Sequence, residues 1–360
     1  MTTKLKLELS AQKDNEILYT NWQIAKLSND FSEFYYKSVL LYDISKYLKE
    51  GIRKNDVIIF NSSININSQY IKYKVPQLDL SNPKDIVKYY HLGSPISLYP
   101  NKEISILHEI FEAYRVYFSI LNKYKLNLGS KTEDLLELFN ISRQISETSF
   151  DFRFVKFFEE KVIENNDLQT NNRKKCIQEI RTSFKSKDEE LIDLVNKFDE
   201  NSPSKQFNYI FNRYERPIIG VHTTSERINL LGSDFFVQSK FTYANSRFLE
   251  TNSIEQNSPL KMLLTMSVII IPNLWLVLKE KLNLMRQQNH NNNLDQKILD
   301  LETEISNLEI KAQQEGISLN QAPQLPDLKN TVIKKGESVL NEFRATIIEE
   351  KQHDRTLLSP

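Results

Sequence analysis

Two short segments of this 360-residue chain gather the side chains best able to do chemistry. In His108-Glu109-Ile110-Phe111-Glu112 a histidine and a carboxylate stand four positions apart, on one face of a helix. His108 and Glu112 could share a metal ion there, with Glu109 as base. The pattern is a H-E-x-x-H in which the second histidine is replaced by Glu112, and no third ligand stands near it. A solvated helix face explains the same residues, so the expectation is no metal.

The second segment runs from Arg216 to Asp234. Arg216 and His222, in RPIIGVH, pair a guanidinium that could stabilise charge on a phosphate with a ring that could move a proton near neutral pH. Their spacing resembles the arginine-to-histidine spacing of metal-independent RNases of the HEPN type. That motif sits on a helix, whereas Pro217, Gly220 and the Ile-Ile-x-Val pattern here indicate a strand. Ser225 and Asp234 add a nucleophile and a base to the neighbourhood, but neither Ser225 nor Ser233 lies in a G-x-S-x-G elbow. His222, Arg216, Ser225 and Asp234 are therefore the catalytic candidates of a nuclease or hydrolase. Polar strand ends and turns carry the same residue types routinely.

Composition narrows the field further. Lys plus Arg and Asp plus Glu are 47 each, so no overall field draws the chain to nucleic acid. The brief cluster Arg173-Lys174-Lys175 reads as a solvated helix start. Seven glycines are few, since average usage would give roughly twenty-five. No GxGxxG or GxxxxGK[ST] loop is present to cradle a phosphate, and no cofactor is expected. Cys176 is the only cysteine, which rules out a disulfide framework and a cysteine-based zinc site and suits a reducing compartment. The first residues have no apolar stretch of the kind a cleaved signal peptide needs. Abundant Asn, Lys and Ile suggest an AT-rich bacterial genome.

The elements that must position these residues read as an α+β fold. Leu5, Leu7 and Leu9 alternate with charged residues, as in a half-buried strand. Helical spacing from Trp22 to Lys49 ends at Gly51. Strand patterns follow at 57–60 and 64–75 and return within 206–254, and a helical middle covers about 102–200. The dense group Phe150, Phe152, Phe154, Phe157 and Phe158 reads as core. The expectation is one mixed sheet, with strands from residues 1–80 and 206–254, in a domain spanning 1–256.

Residues 257–360 read as a helical module. An apolar helix is expected over 260–288, its most hydrophobic run being 262–278 with Ile269, Ile270, Ile271, Leu274 and Trp275. Seventeen helical residues span about 26 Å against roughly 30 Å of hydrocarbon, and Thr265, Ser267, Pro272 and Asn273 argue against a permanent span. Burial in protein is favoured over lipid. A heptad helix over 294–314 carries the seam Leu294, Ile298, Leu301, Ile305, Leu308 and Ala312. A linker (315–326) and a last helix (327–351) complete the module. The seam could pair with that last helix or with another chain.

Together these features suggest a non-enzymatic interaction or effector protein, cytoplasmic, with peripheral or conditional membrane association. Self-association or a partner protein would use 294–312, and membrane contact would use 262–278. Residues 1–256 would then form a sensing or binding domain. The alternative is a nuclease or hydrolase acting at Arg216–Asp234.

Overall fold

The computed structural model describes residues 4–11, 18–63, 76–126, 131–148, 151–164, 170–196, 198, 202–232, 249–256, 259–288, 295–319, 325–342 and 345–349. The chain opens with β1 (Lys4–Ala11) and α1 (Asn21–Lys49), then β2 (Val57–Ser63), β3 (Gln77–Asp79), α2 (Pro83–Leu92) and β4 (Pro95–Ser97). Helices α3 (Lys102–Lys123), α4 (Lys131–Glu147), α5 (Phe154–Glu164), α6 (Thr170–Asn196) and α7 (Lys205–Arg213) follow. Strands β5 (Pro217–Thr224), β6 (Arg227–Leu231), β7 (Glu250–Gln256) and β8 (Leu260–Ser267) come next. Helices α8 (Ile271–Gln288), α9 (Asp295–Gln314) and α10 (Pro326–Glu342) and strand β9 (Ala345–Glu349) end the described chain. The class is α+β with a helical C-terminal part. The strands form two antiparallel sheets, ordered β7-β8-β1-β9 and β3-β6-β5-β2-β4, in place of one mixed sheet. The strand pattern expected at 64–75, and the part of 206–254 that covers 233–248, lie outside the described residues.

Two compact units result, Met1–Lys46 with Asp234–Pro360, and Tyr47–Ser233. The division does not fall after residue 256, because β1 pairs along its whole length with β8, from Lys4 opposite Ser267 to Ala11 opposite Leu260. Its other edge pairs with β9, where Leu9 faces Ile347. Leu5, Leu7, Leu9 and Ala11 are buried, as are Leu260, Met262, Leu264 and Met266 opposite them. Each strand thus gives one apolar face to the core, as a period of two requires.

This register corrects the expected helix over 260–288. Its first eight residues are strand β8, a 3-10 turn covers Val268–Ile270, and α8 begins at Ile271. A continuous apolar run hides alternation, because half-buried Leu263 fills the position between buried Met262 and Leu264, and Thr265 beyond it is buried as well. Pro272 sits in the first turn of α8, where its missing N–H costs no hydrogen bond. The Ser267 amide that ends β8 donates to the Tyr35 hydroxyl at 3.0 Å. The expected last helix, 327–351, stops at Glu342, and Ile347 belongs to β9.

In this unit α8 packs against both α9 and α10. Ile270, Ile271, Leu274, Trp275 and Leu278 are buried within the chain, and Ile269 is half-buried. The heptad seam is likewise used in the chain. Ile305, Leu308 and Ala312 are buried, while Ile298 and Leu301 are half-buried and Leu294 lies outside the described residues. The Trp275 indole N–H donates to Glu309 at 3.0 Å, and the Lys279 ammonium lies 4.3 Å from the Trp275 ring centre. Between α1 and α10, Lys335 bonds Asp30 at 3.0 Å and Glu33 at 2.8 Å, and Glu33 also accepts from the buried Lys37 at 2.6 Å. Burial works against the Lys335 ammonium, but its bonds to Glu33 and Asp30 outweigh this and hold its pKa above the usual value.

Three helices meet at Gly336. A Cβ there would stand 2.7 Å from Cγ2 of Val277 on α8 and 2.9 Å from Cε2 of Phe34 on α1. Alanine normally stabilises a helix interior relative to glycine by about 1 kcal/mol. Here the methyl group meets a packed wall, and overpacking costs about 1–3 kcal/mol. Gly336→Ala is therefore expected to lower the urea midpoint of unfolding. A midpoint that rises would show that the contact relaxes freely.

Candidate functional site

The strongest polar constellation among the described residues lies in the Tyr47–Ser233 unit, where the end of β2, the turn after α2 and the middle of α3 converge. Helix α2 is capped at its start by Asn82, whose side chain accepts from the Lys84 amide. It is ended by Gly93, whose φ of +123° is a conformation that side-chain-bearing residues rarely adopt. A Cβ on Gly93 would also lie 2.9 Å from Oδ1 of Asn61. Glycine therefore lets Ser94 settle on Asn61. The Ser94 amide donates to Asn61 Oδ1 at 2.7 Å, and the Asn61 amide donates to the Ser94 carbonyl at 3.1 Å.

On α3, Glu112 and Arg115 are three residues apart and face this pair. Glu112 Oε1 accepts from Asn61 Nδ2 at 2.8 Å, from Ser94 Oγ at 2.5 Å and from Arg115 Nη1 at 2.8 Å. Arg115 Nη1 also bonds the Ser94 hydroxyl, and Nη2 donates to the Tyr90 carbonyl at 3.0 Å. The guanidinium lies 4.8 Å from the centre of the Tyr90 ring. Burial pushes the Glu112 carboxyl up. The bonds from Ser94 and Asn61 and the charge of Arg115 more than reverse that, so it sits below its ordinary value and is ionised at neutral pH.

This network forms one side of a cleft of about 550 Å³. Half-buried Tyr90, Phe118 and Val87 give it some apolar surface, while Tyr114 and Leu135 in its wall are buried. Asn61, Ser62, Glu112, Arg115 and Asn122 supply its polar surface. Glu112 and Arg115 remain accessible, with side chains 32% and 31% exposed. Three hydrogen bonds converge on one carboxylate oxygen, and Oε2 of Glu112 accepts none among the described residues. Arg115 leaves Nε–H and one hydrogen of Nη2 without an acceptor among the described residues. The arrangement is a hydrogen-bonded polar edge with one acceptor and two donors to spare among the described residues.

The metal candidates His108 and Glu112 are separated in role. His108 Nδ1 lies 3.1 Å from the Pro95 carbonyl, which can only accept, so that nitrogen carries the proton. Burial lowers the His108 pKa. Glu109 bonds Lys187 at 2.9 Å. No group of three or more His, Cys, Asp or Glu able to hold a metal occurs among the described residues.

Nor are the catalytic candidates brought together. Arg216 precedes β5 and pairs with Glu215 at 3.7 Å, whereas Ser225 follows β5 in an exposed turn, its carbonyl bonded by Arg143 at 3.0 Å. Eight extended residues separate the two, roughly 26 Å at about 3.3 Å per residue. Asp234 lies outside the described residues. The Nε2 atom of His222 is buried without a hydrogen-bond partner, and its ring meets Tyr89 edge-on at 6.4 Å. Of the residues singled out from sequence, Glu112 alone belongs to the cleft. Asn61, Ser94 and Arg115 were missed. Only the three-residue spacing of Glu112 and Arg115 on a helix could have hinted at them.

Compared with known protein families, curated proteins and solved structures, the chain matches none.

Burial lowers the His222 pKa from 6.5 to about 4. As pH falls between those values the unfolded chain takes up the proton before the folded one. The neutral ring's contribution to stability is complete above about 6.5 and is lost down to about 4. His222→Leu cannot titrate, so the stability advantage of wild type over this variant should shrink between pH 7.5 and pH 5. Urea unfolding at both values checks this; a constant difference would place the proton on the folded ring as readily as on the unfolded one.

Proposed function

We propose that the protein is a non-enzymatic binding protein whose Tyr47–Ser233 unit holds a small molecule in the cleft beside Glu112 and Arg115. The observation that carries this reading is the unused acceptor and donors of a network otherwise fully bonded. Both side chains are about one-third exposed, so Oε2 and two N–H groups are open to a ligand in the cleft. The cleft volume lies within the roughly 300–1,000 Å³ of ligand sites. The one hydroxyl that meets Glu112, that of Ser94 at 2.5 Å, is fully buried and does not line the cleft, and so the reading is binding rather than turnover.

A ligand that binds only the folded state raises stability by RT ln(1 + [L]/Kd). Asn122, exposed on α3 at the cleft, offers a control that leaves the Glu112 network untouched. A library of small polar metabolites is expected to contain compounds that raise the Tm of wild type and leave Asn122→Trp unmoved, because the indole fills the cleft. Shifts equal in both proteins, or no shift across the library, would remove the reading.

A partner contact through α9 is a second reading, favoured by Leu299 and Ile310. Each is more than half exposed, and their spacing of eleven residues puts them on one helix face, apart from the buried seam. Leu299→Asp with Ile310→Asp should keep the Tm and lower the mass measured by light scattering. A wild type already monomeric excludes self-association there. The run 262–278 has little left for a membrane, since most of its apolar residues are buried in the chain. No helix among the described residues is long and apolar enough to cross one.

A further inference from the structure

We infer that the cleft takes a small zwitterion, a ligand that carries a protonated amine and a carboxylate joined by a short aliphatic link. This rests on the reading of the cleft as a ligand site and names the chemistry it takes.

The spare groups are charged and of opposite sign. Glu112 Oε2 accepts no hydrogen bond, and Arg115 Nε–H and one Nη2–H find no acceptor, among the described residues. Among the residues that line the cleft they are the only carboxylate and the only guanidinium, and no lysine joins them. The bonds that hold the pair are made with other atoms. Oε1 takes Asn61, Ser94 and Arg115, while Nη1 and Nη2 reach Ser94 and the Tyr90 carbonyl. An ammonium can therefore meet Oε2, and a carboxylate the outer N–H groups, with the ion pair intact. Such charge-assisted bonds are roughly twice as strong as neutral ones. Both side chains are already fixed by their own bonds, so a ligand orders little when it arrives.

Electrostatics separates the zwitterion from a single ion. The two charges of the pair stand 2.8 Å apart. A carboxylate docked on Arg115 alone is attracted by the guanidinium and repelled by Glu112 just behind it. An amine on Oε2 alone meets the same opposition from Arg115. Coulomb energy falls only as the inverse of distance, so the second charge of the pair cancels much of what the first offers. A ligand with both ends sets each against its opposite, and the signs then alternate through ligand amine, Glu112, Arg115 and ligand carboxylate. A neutral ligand gains only the weaker bonds. Half-buried Val87, Tyr90 and Phe118 offer apolar surface to the methylenes between the charges.

Calorimetric titration of the full chain with the straight-chain amino acids from glycine to 6-aminohexanoate tests the assignment. Each is set beside the amine and the carboxylate of the same carbon chain, and the series varies the separation of the charges. At least one zwitterion is expected to bind at least tenfold more tightly than both of its singly charged counterparts. Asn122→Trp should abolish that binding. Glu112→Gln keeps an acceptor for Asn61, Ser94 and Arg115 and loses the spare carboxylate oxygen. It should cut the preference for the zwitterion over the carboxylate by about tenfold. Should that variant fail to fold, the comparison within the series and the Asn122→Trp block still decide the matter. A preference below tenfold at every chain length, or no binding by any zwitterion, would overturn the assignment. Compounds of another class that raise the wild-type Tm and are blocked by Asn122→Trp would then leave the ligand-binding reading standing. The absence of any compound blocked by Asn122→Trp would remove both.

Discussion

The antiparallel pairing of β1 with β8 is the constraint on which the Met1–Lys46 and Asp234–Pro360 unit depends. It joins segments about 250 residues apart in the chain, and β9 then adds to the other edge of β1. Because side chains alternate, a slip of one residue would turn Leu5, Leu7 and Leu9 to the opposite face, away from Met262, Leu264 and Met266. Register and core are thus one requirement. Loop-closure entropy rises only slowly with length, so a long insertion between the two strands is tolerated once the paired face is buried. The whole Tyr47–Ser233 unit occupies that insertion.

Local pattern made part of this legible. The alternation of Leu5, Leu7 and Leu9, the helical spacing that runs to Lys49 and the stop at Gly51, which adopts a φ of +95°, all appear where their spacing puts them. Phe154 and Phe158 lie in the core as their density implied, with Phe158 stacked on Tyr117 at 4.3 Å. The segment 260–271 was misread because strand, 3-10 turn and helix follow one another with hardly a polar break. Buried positions without polar neighbours carry no period. Of the heptad positions in α9, Ile305, Leu308 and Ala312 are buried while Ile298 and Leu301 are half-buried; a seam specifies that something packs there and not what.

The cleft was legible in one residue only. Glu112 stood out as a ligand type, yet its partners are an asparagine 51 positions earlier and a serine 18 positions earlier. Neither residue type announces chemistry by itself. Their selection depends on Gly93 closing the distance between two turns, a tertiary fact. His222 illustrates the converse, because proton-transfer chemistry was read from its residue type while the ring is half-buried against Tyr89, with a pKa lowered by burial.

The pairing of β1 also bears on how the chain is made. At roughly 5–20 residues per second, the ~250 residues between β1 and β8 take about 12–50 s to synthesise. For that interval Leu5, Leu7 and Leu9 have been translated while the strand that covers them has not. The Tyr47–Ser233 unit, complete in sequence earlier, can close on itself in the meantime, as domains generally fold as units. A nascent chain of this protein therefore carries an orphan apolar strand ahead of a finished fold. Shielding that strand falls to whatever meets the chain at the ribosome.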